Sequence, residues 1–131
     1  MVYCFGMDRI FLAMGAVFGL IGVAAGAFGA HALRERLSPD LLQVFEIGVR
    51  YQMYHALALL GVALMAARLP GPTLHLAGWL FFVGVLIFSG SLYALSLTGL
   101  RWLGAVTPLG GVCLLSGWAC LLWAAVARGE A

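Results

Sequence analysis

Residues 10–33 are IFLAMGAVFGLIGVAAGAFGAHAL, a run of 24 residues without a charged side chain. As an α-helix, with a rise of 1.5 Å per residue, this run is about 36 Å long, whereas the hydrocarbon core of a bilayer is about 30 Å thick. Because lipid offers no hydrogen bonds to the backbone, such a segment crosses the membrane as a helix. The run therefore predicts an integral membrane protein.

The remainder of the chain has the same character. Further apolar segments predict three more crossings, at residues 51–67, 74–98 and 108–127. The 131-residue chain is 64% hydrophobic and 9% charged, and its mean hydropathy is +1.07, which is far outside the balance of soluble domains. The chain contains no long linker. The sequence therefore predicts one domain, residues 1–131, folded as an all-α bundle of four transmembrane helices.

Several other classes of protein are disfavoured. The three cysteines are odd in number and lack a Cys-x-x-Cys spacing, so they predict neither a disulfide framework nor a metal site. A net charge of +2 is too small to predict binding to nucleic acid. No carboxylate lies within a predicted crossing, and no nucleophilic triad or phosphate-binding loop occurs. We therefore expect no enzyme, no catalytic residue and no metal. We also expect no cofactor, because a haem held by His31 and His55 would rest on a lone histidine pair, which is a weak signal.

The first segment carries a stripe of glycines. Spacings of four and three alternate along it, which places five residues on one helical face: Gly15, Gly19, Gly22, Gly26 and Gly29. Small residues of this kind let another helix approach closely within a membrane. The nearly opposite face, with Ala24, Ala27 and His31, is also smooth. We therefore expect the first helix to be the central helix, packed on both sides.

A helix-start signal follows the first segment. Ser38, Pro39 and Asp40 supply a capping hydroxyl, a proline for the first turn and an acid at the positive end of the helix dipole. Residues 39–50 are amphipathic, which predicts a short helix lying at the membrane interface. The alternative is one continuous helix that includes the second crossing. Thr107-Pro108 repeats the start signal and predicts a short interfacial turn at residues 103–106.

Polar and aromatic residues recur where the segments meet one face of the membrane. An up-down-up-down path brings the ends of the first and third segments and the starts of the second and fourth into one leaflet. Ionisable or strongly polar groups inside a bilayer are costly unless they are paired. We therefore expect a polar cluster or ligand site formed by His31, Arg50, Tyr51, Gln52, His55, Ser89, Tyr93 and Thr107.

This cluster has two interpretations. The side chains either fasten the helices, at about 1 kcal/mol for each hydrogen bond, or surround a ligand. Fastening is favoured for Gln52 and the serines, and both interpretations stay open for the histidines. Arg50 is expected to snorkel or to pair with Glu46, one turn earlier. Trp118, like the other tryptophans, is interpreted as an interfacial anchor.

Four phrases, GAFGAHAL (26–33), RYQMYHALALL (50–60), FSGSLYAL (88–95) and TPLGG (107–111), followed by Gly117-Trp118, closely resemble the YgdD-like family of small four-helix membrane proteins, a domain-of-unknown-function family. The resemblance covers nearly the whole chain and implies a four-helix bundle in the bacterial inner membrane. It supplies no catalytic or binding residue.

The orientation in the membrane is weakly determined. The two faces carry nearly equal positive charge, so the positive-inside rule does not separate them. One face has Arg9, Arg68 and Arg128, and the other has Arg34, Arg36, Arg101 and the borderline Arg50. Members of the resembling family often end in a basic tail, which implies that both termini are cytoplasmic.

We therefore expect a multi-pass protein of the bacterial plasma (inner) membrane, acting as a non-enzymatic accessory, scaffold or lipid-engaging protein. Its expected partners are the lipid bilayer and a bound lipid or other membrane proteins, in an oligomeric state that the sequence leaves open. The alternative is a small-solute carrier or channel with a polar site in one leaflet. A polar path from the cluster past Leu86 toward Trp79 would favour that alternative.

Overall fold

The computed structural model describes residues 2–69 and 71–127, with side chains from residue 6 onward. Within these ranges the chain contains no strand, which confirms the all-α prediction. Four long helices form the fold: α1 (Val2–Phe28), α2 (Pro39–Arg68), α3 (Pro72–Thr98) and α4 (Thr107–Val126). One π-helical turn, Gly29–Leu33, extends α1, and a 3₁₀ turn, Arg101–Ala105, precedes α4. Arg128, which entered the charge comparison, lies outside the described residues.

The helix ends follow local signals. The hydroxyl of Ser38 accepts a hydrogen bond from the backbone N–H of Leu41 at 3.4 Å, and proline occupies the first turn of α2, α3 and α4. α3 ends at Gly99, which has a φ of 74° and donates its N–H to the carbonyl of Leu95 at 2.8 Å. A residue with a Cβ seldom adopts this conformation, so glycine is favoured at this helix end.

The predicted interfacial helix is not a separate element. α2 is continuous from Pro39 to Arg68, so the second helix begins at Pro39 and not at residue 51. Protein covers the apolar side of its first turns: Phe45 is 5% exposed, and its ring centroid lies 5.0 Å from that of Tyr93. Because this side packs on a neighbouring helix, it does not lie flat on the membrane surface.

The central pair of the bundle is α2 and α3. α1 packs along α2, and α4 packs along α3. Large side chains of α1 also reach α3, where Phe18 stacks on Phe82 with ring centroids 5.4 Å apart and Phe11 meets Trp79 edge-on at 5.8 Å. Among the described residues, α1 and α4 do not contact each other. The four helices therefore form an open zigzag and not a closed square.

The prediction that α1 is the central helix is wrong. Its face with Ala24, Ala27 and His31 is exposed. Small residues permit a neighbour to approach but do not require one, since an alanine surface contacts lipid without penalty. The central positions belong to α2 and α3, because these helices carry the buried polar side chains, which need protein partners.

The glycine stripe of α1 meets α2. A Cβ on Gly15 would lie 2.8 Å from the Cδ2 of Leu60 and 2.9 Å from the carbonyl oxygen of Ala56. By contrast, a Cβ on Gly19 would have no such neighbour within 4 Å. The members of the stripe with an α2 atom within 4 Å of an added Cβ are Gly15, Gly22, Gly26 and Gly29.

The bundle has two unlike ends. Connections at residues 34–38 and 99–106 form the loop end, and the short connection between α2 and α3 lies at the opposite, turn end. Toward the turn end the interior is apolar, with Phe11, Leu59, Val62, Leu74 and Phe81 among its fully buried side chains. The buried polar side chains therefore lie between this apolar interior and the loop end.

Three helical stretches are long and apolar enough to cross a membrane: Gly6–Leu33, Pro72–Thr98 and Arg101–Val126. Large apolar side chains point outward from the bundle, as shown by Leu20, Leu64 and Leu115, which are 73%, 70% and 72% exposed. In water such a surface would be an extensive apolar patch, whereas in a bilayer it contacts lipid. The fold is therefore consistent with burial in a membrane.

Candidate functional site

Gln52 of α2 joins three helices. Its Nε2 donates a hydrogen bond to the carbonyl of Phe18 in α1 at 2.8 Å, and its Oε1 accepts one from the hydroxyl of Tyr93 in α3 at 2.7 Å. The side chain is 3% exposed. At this degree of burial, a polar side chain without hydrogen-bond partners would be costly.

Gly22 explains why a carbonyl inside α1 is accessible to Gln52. Helical side chains tilt toward the N-terminus, so the side chain at position 22 would cover the carbonyl of Phe18, four residues earlier. Glycine leaves that oxygen open. An added Cβ would lie 3.6 Å from the Nε2 of Gln52 and would collide with the side chain of Met53.

Ser89 and Gly48 make a second link between α2 and α3. The hydroxyl of Ser89 donates to the carbonyl of Gly48 at 2.7 Å, and Ser89 is 1% exposed. The ring of Tyr93 covers Gly48, since an added Cβ would lie 2.9 Å from its Cε1. Gly48 thus supplies an accessible carbonyl and the space for the tyrosine that bonds Gln52.

His55 forms a separate group with α4. Its Nδ1 lies 2.7 Å from the carbonyl of Tyr51, and its Nε2 lies 3.0 Å from the indole Nε1 of Trp118. A carbonyl only accepts and an indole N–H only donates, so the ring is the neutral tautomer with its proton on Nδ1. Both nitrogens are therefore used within the protein, and neither is free to ligate an iron.

Thr107 and Ser91 connect α3 to the start of α4. Their hydroxyl oxygens lie 2.7 Å apart, and Ser91 also donates to the carbonyl of Phe88 at 2.9 Å. This contact joins the first residue of α4 to α3. Thr107 is therefore bonded to Ser91 and not to the group formed by Gln52, Ser89 and Tyr93.

The structure divides the eight predicted residues. Gln52, Ser89 and Tyr93 lie together between α1, α2 and α3, whereas His55 and Thr107 belong to the two groups just described. His31 and Arg50 are exposed and outside all three groups. Tyr51 is 39% exposed, and its ring packs at 4.7 Å from that of Phe88.

Sequence reasoning missed three partners. The interpretation of Trp118 as an interfacial anchor overlooked its hydrogen bond to His55, and the carbonyls of Gly48 and Phe18 were not identified as acceptors. The carbonyls have no side-chain signature. Trp118 and His55 are 63 residues apart, and only helix packing brings them together.

Two crevices flank the central helices. One of about 180 Å³ lies between α1 and α3, with Gln52 and Tyr93 in its lining. The other, of about 340 Å³, lies between α2 and α4 and is lined by His55, Trp118 and Leu114, among others. Among the side chains that the structure describes, no group of three or more His, Cys, Asp or Glu residues is placed to hold a metal ion.

Trp118→Phe should destabilise the protein by about 1 kcal/mol, which is typical of one hydrogen bond between membrane helices. Phenylalanine keeps the aromatic packing but removes the N–H that reaches His55. The measurement is the thermal unfolding midpoint in mild detergent. Trp123→Phe is the control, because Trp123 is 65% exposed. Equal midpoints for the two variants would contradict the assigned role of Trp118.

Comparison with known proteins supplies the family. The family model described as "Protein of unknown function (DUF423)" matches residues 25–111. The chain is 48% identical over 119 residues to the UPF0382 membrane protein YwdK of Bacillus subtilis (strain 168), an alignment that covers 90% of this chain and 97% of the relative. It is 44% identical over 114 residues to the UPF0382 membrane protein SH2409 of Staphylococcus haemolyticus, covering 87% and 93% of the two chains.

No solved structure matches the chain significantly. The Bacillus and Staphylococcus relatives are named membrane proteins, and the alignments cover almost their whole length. Their name agrees with the apolar helices of this fold. This chain therefore belongs to the DUF423 family, the UPF0382 membrane proteins, and is an integral membrane protein.

Proposed function

We propose that the protein is a non-enzymatic, four-pass component of the bacterial plasma (inner) membrane that acts as a scaffold or accessory protein and engages a lipid. One observation carries the non-enzymatic, scaffold part of the proposal: the buried polar side chains are bonded to other parts of the protein. These side chains are Gln52, His55, Ser89, Ser91 and Ser96. A network with its hydrogen-bonding groups already engaged fastens helices and leaves little capacity for substrate chemistry.

One buried side-chain atom among the described residues has no hydrogen-bond partner, the Nε2 of His75. It lies in the first turns of α3, at the turn end, far along the helix from Ser89 and Tyr93. Its neighbour is the ring of Phe11, with centroids 6.2 Å apart. The structure gives no other buried side-chain nitrogen or oxygen without a partner among its described residues, and this nitrogen by itself does not make a catalytic site.

The topology supports a fourth crossing by α2. Only residues 69–71 separate α2 from α3, and residues 34–38 separate it from the turn that extends α1. A 30-residue helix is long enough to cross a bilayer, and α2 packs between two helices that are long and apolar enough to do so, which supports a crossing by α2 as well. Packing shields its buried polar residues, Gln52 and His55, from lipid, whereas the polar residues of its first turns, Gln43, Glu46 and Arg50, are exposed toward the loop end.

The proposed location rests on the relatives, and the proposed orientation rests on the family resemblance, because the positive charges on the two faces are nearly equal. Bacterial membrane proteins of similar length support the plasma membrane, and the resemblance to the YgdD-like family supports cytoplasmic termini. The alternative of a small-solute carrier or channel has less support. Toward the turn end, Leu59, Val62 and Phe81 fill the interior, so a continuous polar route does not pass through this part of the described structure.

His55→Ala should lower the stability by about 1–3 kcal/mol, since it removes two hydrogen bonds and leaves the indole N–H of Trp118 unpaired. A phospholipid that co-purifies with the protein should nevertheless be retained. Thermal unfolding and native mass spectrometry in mild detergent measure the two effects. Loss of the lipid from a fully folded variant would show a ligand site at His55.

Solute flux through wild-type proteoliposomes above that of empty vesicles would favour the carrier.

A further inference from the structure

A cavity of about 460 Å³ opens at the loop end of the bundle. It lies between the start of α2, the end of α3 and the 3₁₀ turn that follows α3. Its volume falls within the range of about 300 to 1,000 Å³ that is typical of small-molecule sites. Its lining includes Ser38, Asp40, Leu41, Val44, Leu95 and Arg101.

Opposite charges line this one cavity without pairing. Asp40 is in the first turn of α2, whereas Arg101 begins the 3₁₀ turn beyond α3. Neither side chain forms an ion pair or a hydrogen bond with another residue in the described part of the chain. The charged groups are thus both available to a ligand that carries one positive and one negative group.

The local structure holds these charges on separate elements. The hydroxyl of Ser38 accepts a hydrogen bond from the N–H of Leu41 and caps α2. Asp40 is therefore the second residue of the helix. The left-handed conformation of Gly99 ends α3 and directs the chain into the turn that carries Arg101. The two charges therefore lie on different elements that line the same cavity.

The position of the cavity suits the boundary between water and lipid. Trp102 follows Arg101 and is 64% exposed, as expected of an aromatic anchor at a membrane interface. Leu41, Val44 and Leu95 give the cavity an apolar wall next to its charges. Charged groups beside an apolar wall at the membrane interface are complementary to a phospholipid, which has a charged headgroup and apolar chains.

We propose that this cavity binds the headgroup of a phospholipid with a primary amine, an ethanolamine phospholipid. The ammonium group donates to the carboxylate of Asp40, and the guanidinium of Arg101 binds the phosphate. A glycerol headgroup lacks the amine, and a choline headgroup has no N–H to donate. This inference deepens the proposed lipid engagement and rests on it, because it requires the loop end to lie at the membrane surface.

The test is competition between phospholipids for the purified full chain. The protein in mild detergent receives equal amounts of ethanolamine, choline and glycerol phospholipids with identical acyl chains, and native mass spectrometry measures the bound fractions. Wild-type protein should prefer the ethanolamine lipid over the glycerol lipid by about fivefold, the effect of roughly 1 kcal/mol from one exposed charge pair. The preference over the choline lipid should be smaller, because the quaternary ammonium keeps its charge and lacks only the N–H donors. Asp40→Asn should abolish this preference, and Arg101→Gln should reduce the binding of all three lipids.

Two exposed residues of the neighbouring loop provide controls for a change in charge. Glu35→Gln and Arg34→Gln alter the net charge by the same amounts as the test variants and do not line the cavity. Both should keep the wild-type preference. Thermal unfolding of each variant verifies that it is folded.

The outcomes separate this inference from the proposed function. Retention of phospholipid without a headgroup preference, or a preference unaffected by Asp40→Asn, overturns the ethanolamine site and leaves lipid engagement in place. A preference lost equally in the loop controls also overturns the site. If no phospholipid of any class is retained, the proposed lipid engagement fails together with this inference.

Discussion

Gly110→Ala should strongly lower the thermal unfolding midpoint of the protein, although it adds only one methyl group. A Cβ at this position would collide with the backbone nitrogen of Phe88 and would lie 2.8 Å from its Cα. Backbone atoms cannot move aside as a side chain can, so α3 and α4 must separate. Overpacking of this kind costs about 1–3 kcal/mol, and the loss of the helix contacts further along α4 adds to it.

The neighbouring glycine provides the matched control for this prediction. A Cβ on Gly111 would have the Cδ2 of Phe88 as its neighbour at 3.9 Å, which is ordinary van der Waals contact. Gly111→Ala should therefore leave the midpoint nearly unchanged or raise it slightly, since alanine favours the helix. Thermal unfolding in the same detergent compares the two. A Gly110→Ala protein as stable as Gly111→Ala would show that α4 does not pack on α3 as described.

Gln52→Leu should destabilise the protein by about 1–3 kcal/mol. Leucine has nearly the volume of glutamine and makes no hydrogen bond. The substitution leaves the hydroxyl of Tyr93 without its acceptor and removes the bond to the carbonyl of Phe18. Because Gln52 is buried between the helices, water does not readily replace the missing partner. The measurement is again the thermal unfolding midpoint in mild detergent.

Gln43→Leu serves as the control for Gln52→Leu, because Gln43 lies on the same helix and is exposed. Its replacement should change the midpoint little. Tyr93→Phe completes a double-mutant cycle with Gln52→Leu, and the combined loss should be smaller than the sum of the two single losses. Additive losses would mean that the bond between Tyr93 and Gln52 contributes nothing measurable to stability.

The sequence by itself determined the class of fold and those helix boundaries that depend only on residues adjacent in the chain. Uncharged apolar runs predict helices wherever lipid is the solvent, because the backbone must satisfy its own hydrogen bonds there. Proline in the first turn and the hydroxyl of Ser38 are local signals, so the starts of α2 and α4 could be predicted from a few residues. Membership of a family of membrane proteins agrees with the interpretation of these apolar runs.

Part of the polar site was also visible in the sequence. A spacing of four residues places Ser89 and Tyr93 on one face of α3, and the alternating path brings that face near Gln52 of α2. The partners of these side chains were not visible. Every residue has a carbonyl, and only the approach of a second helix decides that those of Phe18 and Gly48 accept side-chain hydrogen bonds.

Tertiary structure alone decided which helices are central and which polar residues are buried. The smooth faces of α1 allow close packing on two sides, yet one of them faces outward, because contact with lipid costs an alanine surface nothing. His31, in the turn that leads into the loop end, is exposed, whereas His55 is buried against Trp118. Helical periodicity fixes the direction of a side chain from its own axis, but the helix that occupies that direction depends on the packing of the whole bundle.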